Sequence, residues 1–280
     1  MDNQPLFSVL IANYNNGRFL AEALESVYKQ SYNNWEVIIV DDHSDDNSFT
    51  VYNQLKNDER IKIYCNSENQ GAGFTKRKCV EMASGNICGF LDPDDALTDD
   101  ALRKMVNAHR DNPTVSLVHS ISYHCDENLK VIKTNDAPKQ IVANDPYFLN
   151  MESAISHFSS FKRNFYQKTE GIDPYLQRAV DQDLYLKLYD VGETYFLNEE
   201  LYYYRIHNSG ISTNENIGKA YFWHWVVIIN TGKRRGMNYE DLFCKSLASK
   251  SEYDKLENKY LKLRKYEKLN NLLGSIRRKF

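Results

Sequence analysis

Four apolar runs, at 7–12, 35–40, 61–65 and 87–91, punctuate the first third of the chain, and helix-like segments around 18–30, 47–57 and 72–84 separate them. Each run is continuously apolar rather than alternating. Parallel strands read this way, because the crossover helices that join them cover both faces of the sheet. The pattern predicts an α/β fold with a mainly parallel sheet sandwiched by helices. After a helix predicted at 98–110, residues 115–121 read as a further strand, 124–150 as irregular chain with two of the six prolines, and 155–166 as extended. Gly171-Ile172-Asp173 reads as a turn and 195–204 as a strand. Residues 180–188 place apolar side chains at 184, 186 and 188, which fits a helix poorly by period, yet Asp181 and Asp183 suit a helix N-terminus.

The far end of the chain is patterned differently. Leu256, Tyr260, Leu263, Tyr266, Leu269, Leu273, Ile276 and Phe280 recur at spacings of three and four, one stripe of an amphipathic helix. Between 259 and 280 there are eight Lys+Arg against one Asp+Glu, while the whole chain carries a net charge of -3. The rest of the protein is therefore acidic. That balance argues against nucleic acid as a partner. A basic amphipathic tail at 251–280 has three readings: peripheral attachment to an anionic membrane surface, self-association as a coiled coil, or packing on its own domain. Five cysteines, at 65, 79, 88, 125 and 244, form no C-x-x-C pair, which points to a reducing compartment and away from a zinc site. With no signal peptide and no apolar stretch of spanning length, a cytoplasmic location is expected, with the inner face of the cell membrane as the place the tail would favour.

In parallel sheets ligands bind beyond the carboxyl ends of the strands. Here those positions are strongly polar: Asn13-Tyr14-Asn15-Asn16-Gly17, Asp41-Asp42-His43-Ser44, the stretch from Asn66 to Gly73, and Asp92-Pro93-Asp94-Asp95. Three carboxylates within four residues repel one another unless solvated or bridged by a cation, which makes Asp92-x-Asp94 a candidate divalent-metal site. The alternative for that segment is a turn leading to a helix N-cap, and Asp181 carries the same alternative. A lone histidine such as His207, following a strand, is more often surface or core than ligand.

Taken in order, these pieces resemble the family 2 glycosyltransferases of the GT-A fold. The resemblance rests on Ser8-Val-Leu-Ile-Ala-Asn-Tyr-Asn15, Trp35 to Asp42 with Ser44, Asn69-Gln-Gly71 with Arg77, Ser84-Gly85 leading into Phe90-Leu-Asp-Pro-Asp-Asp95, Gly171-Ile-Asp173, Asp181-Gln-Asp183-Leu and Tyr204-Arg-Ile-His207. It covers residues 6 to about 213 and implies a catalytic domain at 1–213, with a nucleotide-sugar half at 1–113 and an acceptor and base half at 114–213. Residues 214–280 would then form a helical C-terminal extension.

The resemblance implies inverting transfer of a sugar from a nucleotide diphosphate donor, UDP being favoured, to a hydroxyl of a glycan, lipid-linked or other acceptor in polysaccharide synthesis. It implies Asp42 and Tyr14 at the nucleobase, Arg77 near the diphosphate, Asp92 at the ribose or sugar, Asp94 and His207 on a Mn²⁺ or Mg²⁺ ion, and Asp181 as general base. The chemistry asks for these groups, since a cation offsets charge on the departing diphosphate and a carboxylate takes the acceptor's proton. Ala12-Asn13 stands where the family often has Pro-Thr or Pro-Ser, and Val180 where it often has Glu. Nucleotidyltransferases and dinucleotide-dependent oxidoreductases are disfavoured, because no glycine-rich segment follows the first strand. The other reading is a scaffold of the same fold that binds nucleotide-sugar without transferring it.

Overall fold

The computed structural model describes residues 4–207, 216–240 and 259. Strands β1 (Phe7–Asn13), β2 (Trp35–Asp41), β3 (Ile61–Cys65) and β4 (Ile87–Phe90) alternate with helices α1 (Gly17–Tyr28), α2 (Ser48–Leu55) and α3 (Ala72–Met82). The chain continues through β5 (Ala96–Leu97), α4 (Ala101–Asp111), β6 (Val115–Cys125), β7 (Val131–Thr134) and β8 (Ser159–Lys162). It then runs through α5 (Arg163–Tyr166), α6 (Val180–Tyr189), β9 (Glu193–Arg205) and α7 (Ile217–Arg234). Among the described residues these strands form one sheet in the order β3-β2-β1-β4-β8-β6-β9-β5, with β7 beside β6. The first four strands are parallel, β8 runs antiparallel to β4 and β6, and β9 lies parallel to β6.

Strand geometry sends successive side chains to opposite faces, and both faces here are covered. Phe7, Val9, Ile11, Val37 and Ile39 pack against α1, α2 and α4, whereas Leu10, Ile38 and Val40 pack against α3 and α6. This double burial is why the runs are continuously apolar. Because β1 lies between β2, reached through α1 on one face, and β4, reached from β3 through α3 on the other, a crevice opens at the carboxyl ends of these strands.

Two elements, at 163–166 and 131–134, differ from the sequence-based expectation, and a third, at 180–189, decides what the sequence left open. Residues 163–166 turn into the short helix α5 instead of staying extended. Residues 180–189 are helical, and the weak period has a cause: nine of the ten residues of α6 are buried, so no polar face interrupts the apolar positions. The 124–150 stretch contains β7, whose four residues are all exposed and so carry no apolar signature.

A buried carboxylate ties the sheet to the turn before β4. Glu36 accepts from Ser8 Oγ at 2.7 Å, the Ser84 and Gly85 amides at 2.6 and 3.1 Å, and Lys62 Nζ at 2.8 Å. Burial works against its charge, but the Lys62, Ser8 and Ser84 hydrogen bonds outweigh burial and hold its pKa below the usual glutamate value. A depressed folded-state pKa stabilises above the unfolded pKa and ceases to do so as pH falls through the folded one. Glu36→Ala is therefore expected to lower stability by about 2–4 kcal/mol at neutral pH. The gap between variant and wild type in urea midpoints is expected to narrow as pH falls below about 4, near the unfolded glutamate pKa, where the part due to the carboxylate's charge is lost.

The chain divides into two compact units, 1–231 and 232–280, a division that falls within α7. No helix among the described residues is long and apolar enough to cross a membrane. The stripe at 251–280, with its membrane and coiled-coil readings, lies outside the described residues except for Lys259, as does Cys244. Of the other cysteines, Cys79, Cys88 and Cys125 are buried and Cys65 is exposed, all as free thiols.

Candidate active site

A cavity of about 400 Å³ opens at the carboxyl ends of β1, β2 and β4. It collects Tyr14, Asp42, Asp92, Asp94, Asp181 and His207 from five separate places in the sequence. Arg77 is not among its lining residues. That side chain bonds Glu81 and the carbonyls of Glu170 and Ile172 instead. The neighbouring Lys76 enters the cavity in its place.

One end of the cavity is built around Asp42. Its Oδ1 accepts from Asn66 Nδ2 at 2.7 Å and the Gln70 amide at 2.8 Å, and its Oδ2 accepts from the Gly71 amide at 2.8 Å. These bonds fold the 66–71 loop over the end of β2. A carboxylate offers about four acceptor positions, so Asp42 keeps capacity toward the cavity that it lines. Below it, Asp41 is bonded to Asn13, Tyr52 and the Ser44 amide and serves as scaffold.

Gly71 stands at φ 88°, ψ 169°, backbone space that essentially only glycine occupies. A Cβ there would meet the Gln177 amide at 2.7 Å. Gly71→Ala is expected to cost about 1–3 kcal/mol of stability. It would also displace the amides that hold Asp42; thermal unfolding measures the loss.

The acidic turn after β4 is fixed by Arg205 at the end of β9. Its amide donates to Asp95 Oδ1 at 2.7 Å, and its guanidinium bonds the Asp94 and Glu127 carbonyls and Glu22. Asp95 is buried. Its pKa is raised well above the usual range, first by burial and then by the charges of Asp94 and Asp92. Helix α4 begins at Ala101 with Asp100 at its N-cap, so Asp92, Asp94 and Asp95 do not cap it. Asp94 Oδ2 and His207 Nε2 converge to 2.8 Å. Burial acts against the charge of Asp92, but the Lys76 ammonium and His157 prevail and hold its pKa below the usual aspartate value.

Asp181 sits in the first turn of α6, where the helix dipole favours a negative charge. The N-cap is Ala179, and the hydrogen-bond partner of the Asp181 side chain is Lys76 Nζ, 2.8 Å from Oδ1. Asp183 plays a different part. It is buried and accepts from Lys187 at 2.8 Å and the Asp173 amide at 2.9 Å, locking the Gly171 turn to α6.

Lys76, His157 and Arg205 were not assigned roles from the sequence. For Lys76 a signal exists, since Thr75, Cys79 and Val80 are also buried on α3 and place it on the inner stripe. His157 lies in irregular chain, where no period marks it.

The fold itself is shared with known structures. S. aureus TarS in complex with UDP-GlcNAc superposes with a TM-score of 0.64 at 20% identity, over 80% of this chain and 65% of that one, and the mixed, mainly parallel sheet with its helices is the GT-A fold. The chain belongs to Glycosyl transferase family 2, whose sequence profile matches residues 8–169. TuaG of Bacillus subtilis (strain 168), named for teichuronic acid biosynthesis, is 30% identical over 214 residues, covering 76% of this chain and 83% of that protein. The chondroitin synthase of Escherichia coli is 27% identical over 259 residues, 91% of this chain. The chain spans only 37% of that synthase's length.

Proposed function

We propose that the protein transfers a sugar, with inversion, from a UDP-sugar to an acceptor hydroxyl in polysaccharide synthesis. The observation that carries this reading is the convergence of Asp42, Asp92, Asp94, Asp181 and His207 on one cavity of a family 2 domain. The names of TuaG and chondroitin synthase support a glycan product, and the TarS complex supports a uridine nucleotide in a cavity of this fold.

Asp42 accepts a base N–H while Tyr14, half exposed at the rim, packs beside the ring. Asp92 binds the ribose or sugar. Asp94 and His207, hydrogen-bonded to each other at 2.8 Å on the cavity wall, offer a carboxylate oxygen and an imidazole nitrogen, donors that suit a divalent ion. These two residues would hold Mn²⁺ or Mg²⁺, which supplies compensation for negative charge on the departing diphosphate. Asp181 takes the proton of the acceptor hydroxyl as it attacks; its Oδ1 is engaged by Lys76, leaving Oδ2 for this task. The acceptor is a growing glycan or its lipid-linked form, met at the inner face of the cell membrane, where each basic residue of the 251–280 tail would contribute about 1 kcal/mol on an anionic surface.

The test is UDP release from a panel including UDP-GlcNAc and UDP-Glc, with Mn²⁺ and p-nitrophenyl glycosides as acceptors, followed by NMR of the new anomeric linkage. Turnover of one donor with inverted configuration is expected. UDP binding without turnover of any donor would favour the non-catalytic scaffold.

A further inference from the structure

We propose that Lys76 is a positioning residue for this transfer, its ammonium acting as a fixed cation that keeps the carboxylates of Asp181 and Asp92 together and aimed into the cavity. The inference rests on the reading of Asp181 as base. Ligand atoms of Asp92, His157 and Asp181 all lie within 4.8 Å of one another, a grouping able to hold a metal ion. A cation from the chain already bridges two of these three residues. Lys76 Nζ stands 2.8 Å from Asp181 Oδ1 and 3.0 Å from Asp92 Oδ1.

The surroundings suit a permanent charge there. The Lys76 side chain is only 10% exposed, and its Nζ lies 5.0 Å from the centroid of the Phe90 ring. Burial acts against the ammonium, but Asp181 and Asp92 outweigh it and raise its pKa. One ammonium thereby joins α3, the acidic turn after β4 and the first turn of α6. His157 Nε2 stands 3.9 and 4.0 Å from the second oxygens of Asp181 and Asp92, beyond hydrogen-bond reach, so it does not replace the lysine. Without Lys76 the two carboxylates repel, and they either turn apart or share a proton. Each outcome disables Asp181 as base and loosens Asp92, while leaving Asp42, Asp94 and His207 in place.

The experiment is a double-mutant cycle on the full chain: Lys76→Met and Lys76→Arg, each in the wild-type and Asp181→Asn backgrounds. Turnover is read with the UDP-sugar that wild type uses, UDP affinity by calorimetry with Mn²⁺, and folding by thermal unfolding. Lys76→Met is expected to lower kcat about 100-fold with the UDP Kd raised, through Asp92, by no more than about 10-fold, and Lys76→Arg to recover most of that loss. In the Asp181→Asn background Lys76→Met is expected to add less than about a 3-fold loss, because both changes remove one function. Equal losses in the two backgrounds, or near-normal turnover by Lys76→Met, would overturn the proposal. Should Lys76→Met fail to fold, the Lys76→Arg cycle decides by the same criterion. A wild type that binds UDP yet turns over no donor refutes the reading of Asp181 and this inference with it; turnover insensitive to Lys76 refutes the inference alone.

Discussion

Asp181→Asn is expected to slow sugar transfer by about 10²–10⁴-fold while leaving UDP affinity within a few-fold of wild type. Asparagine keeps the shape and the oxygen that Lys76 contacts but cannot take a proton. The donor end of the cavity is untouched, since Asp42 and its loop are held by bonds of their own. The loss is therefore expected in kcat, with the donor KM nearly unchanged. Asp183→Asn is the informative control. Breaking its buried pair with Lys187 is expected to cost about 3–5 kcal/mol of stability, visible as a lower urea midpoint, without a specific loss of turnover in the folded fraction. An Asp181→Asn variant that retains full turnover would mean that another group takes the proton.

The second large effect is expected at Asp94. Removing its carboxylate by Asp94→Ala takes away one of the two groups proposed to hold the ion. Loss of one electrostatic stabiliser of a transition state typically costs about 10²–10³ in rate. The variant is expected to lose that much turnover and also the dependence of UDP binding on Mn²⁺. Its fold is expected to survive, because Arg205 engages the Asp94 carbonyl rather than its side chain.

The β1–β4 half was legible in the sequence because double-sided burial leaves continuous apolar runs, and because the loops that follow them concentrate Asp42, Asp92 and Asp94. The positions of α5 and α6 were not. In α6, Gln182, Asp183 and Lys187 are buried with their partners, so polarity no longer reports the exposed face. The choice between Lys76 and Arg77 turned on helix phase. Successive residues on a helix point about 100° apart, so three consecutive basic residues face three ways. Lys76 turns inward, Arg77 toward Glu81, and Lys78 toward Asn66. The buried stripe through Thr75, Cys79 and Val80 contains that answer, whereas motif matching alone favoured the arginine. The acceptor side, from about 121 to 180, stayed unread because much of it is irregular, and His157 acquires meaning only from the carboxylates the fold brings near it.

The claim that the acid-lined cavity binds a uridine diphosphate through a divalent ion is tested most directly by thermal unfolding with UDP, with and without Mn²⁺, on wild type and Asp94→Ala. At a ligand concentration near 100 Kd wild type is expected to gain about 2.7 kcal/mol of stability, dependent on Mn²⁺ and absent from the variant. No shift with UDP under any condition, or an equal shift in Asp94→Ala, would contradict it.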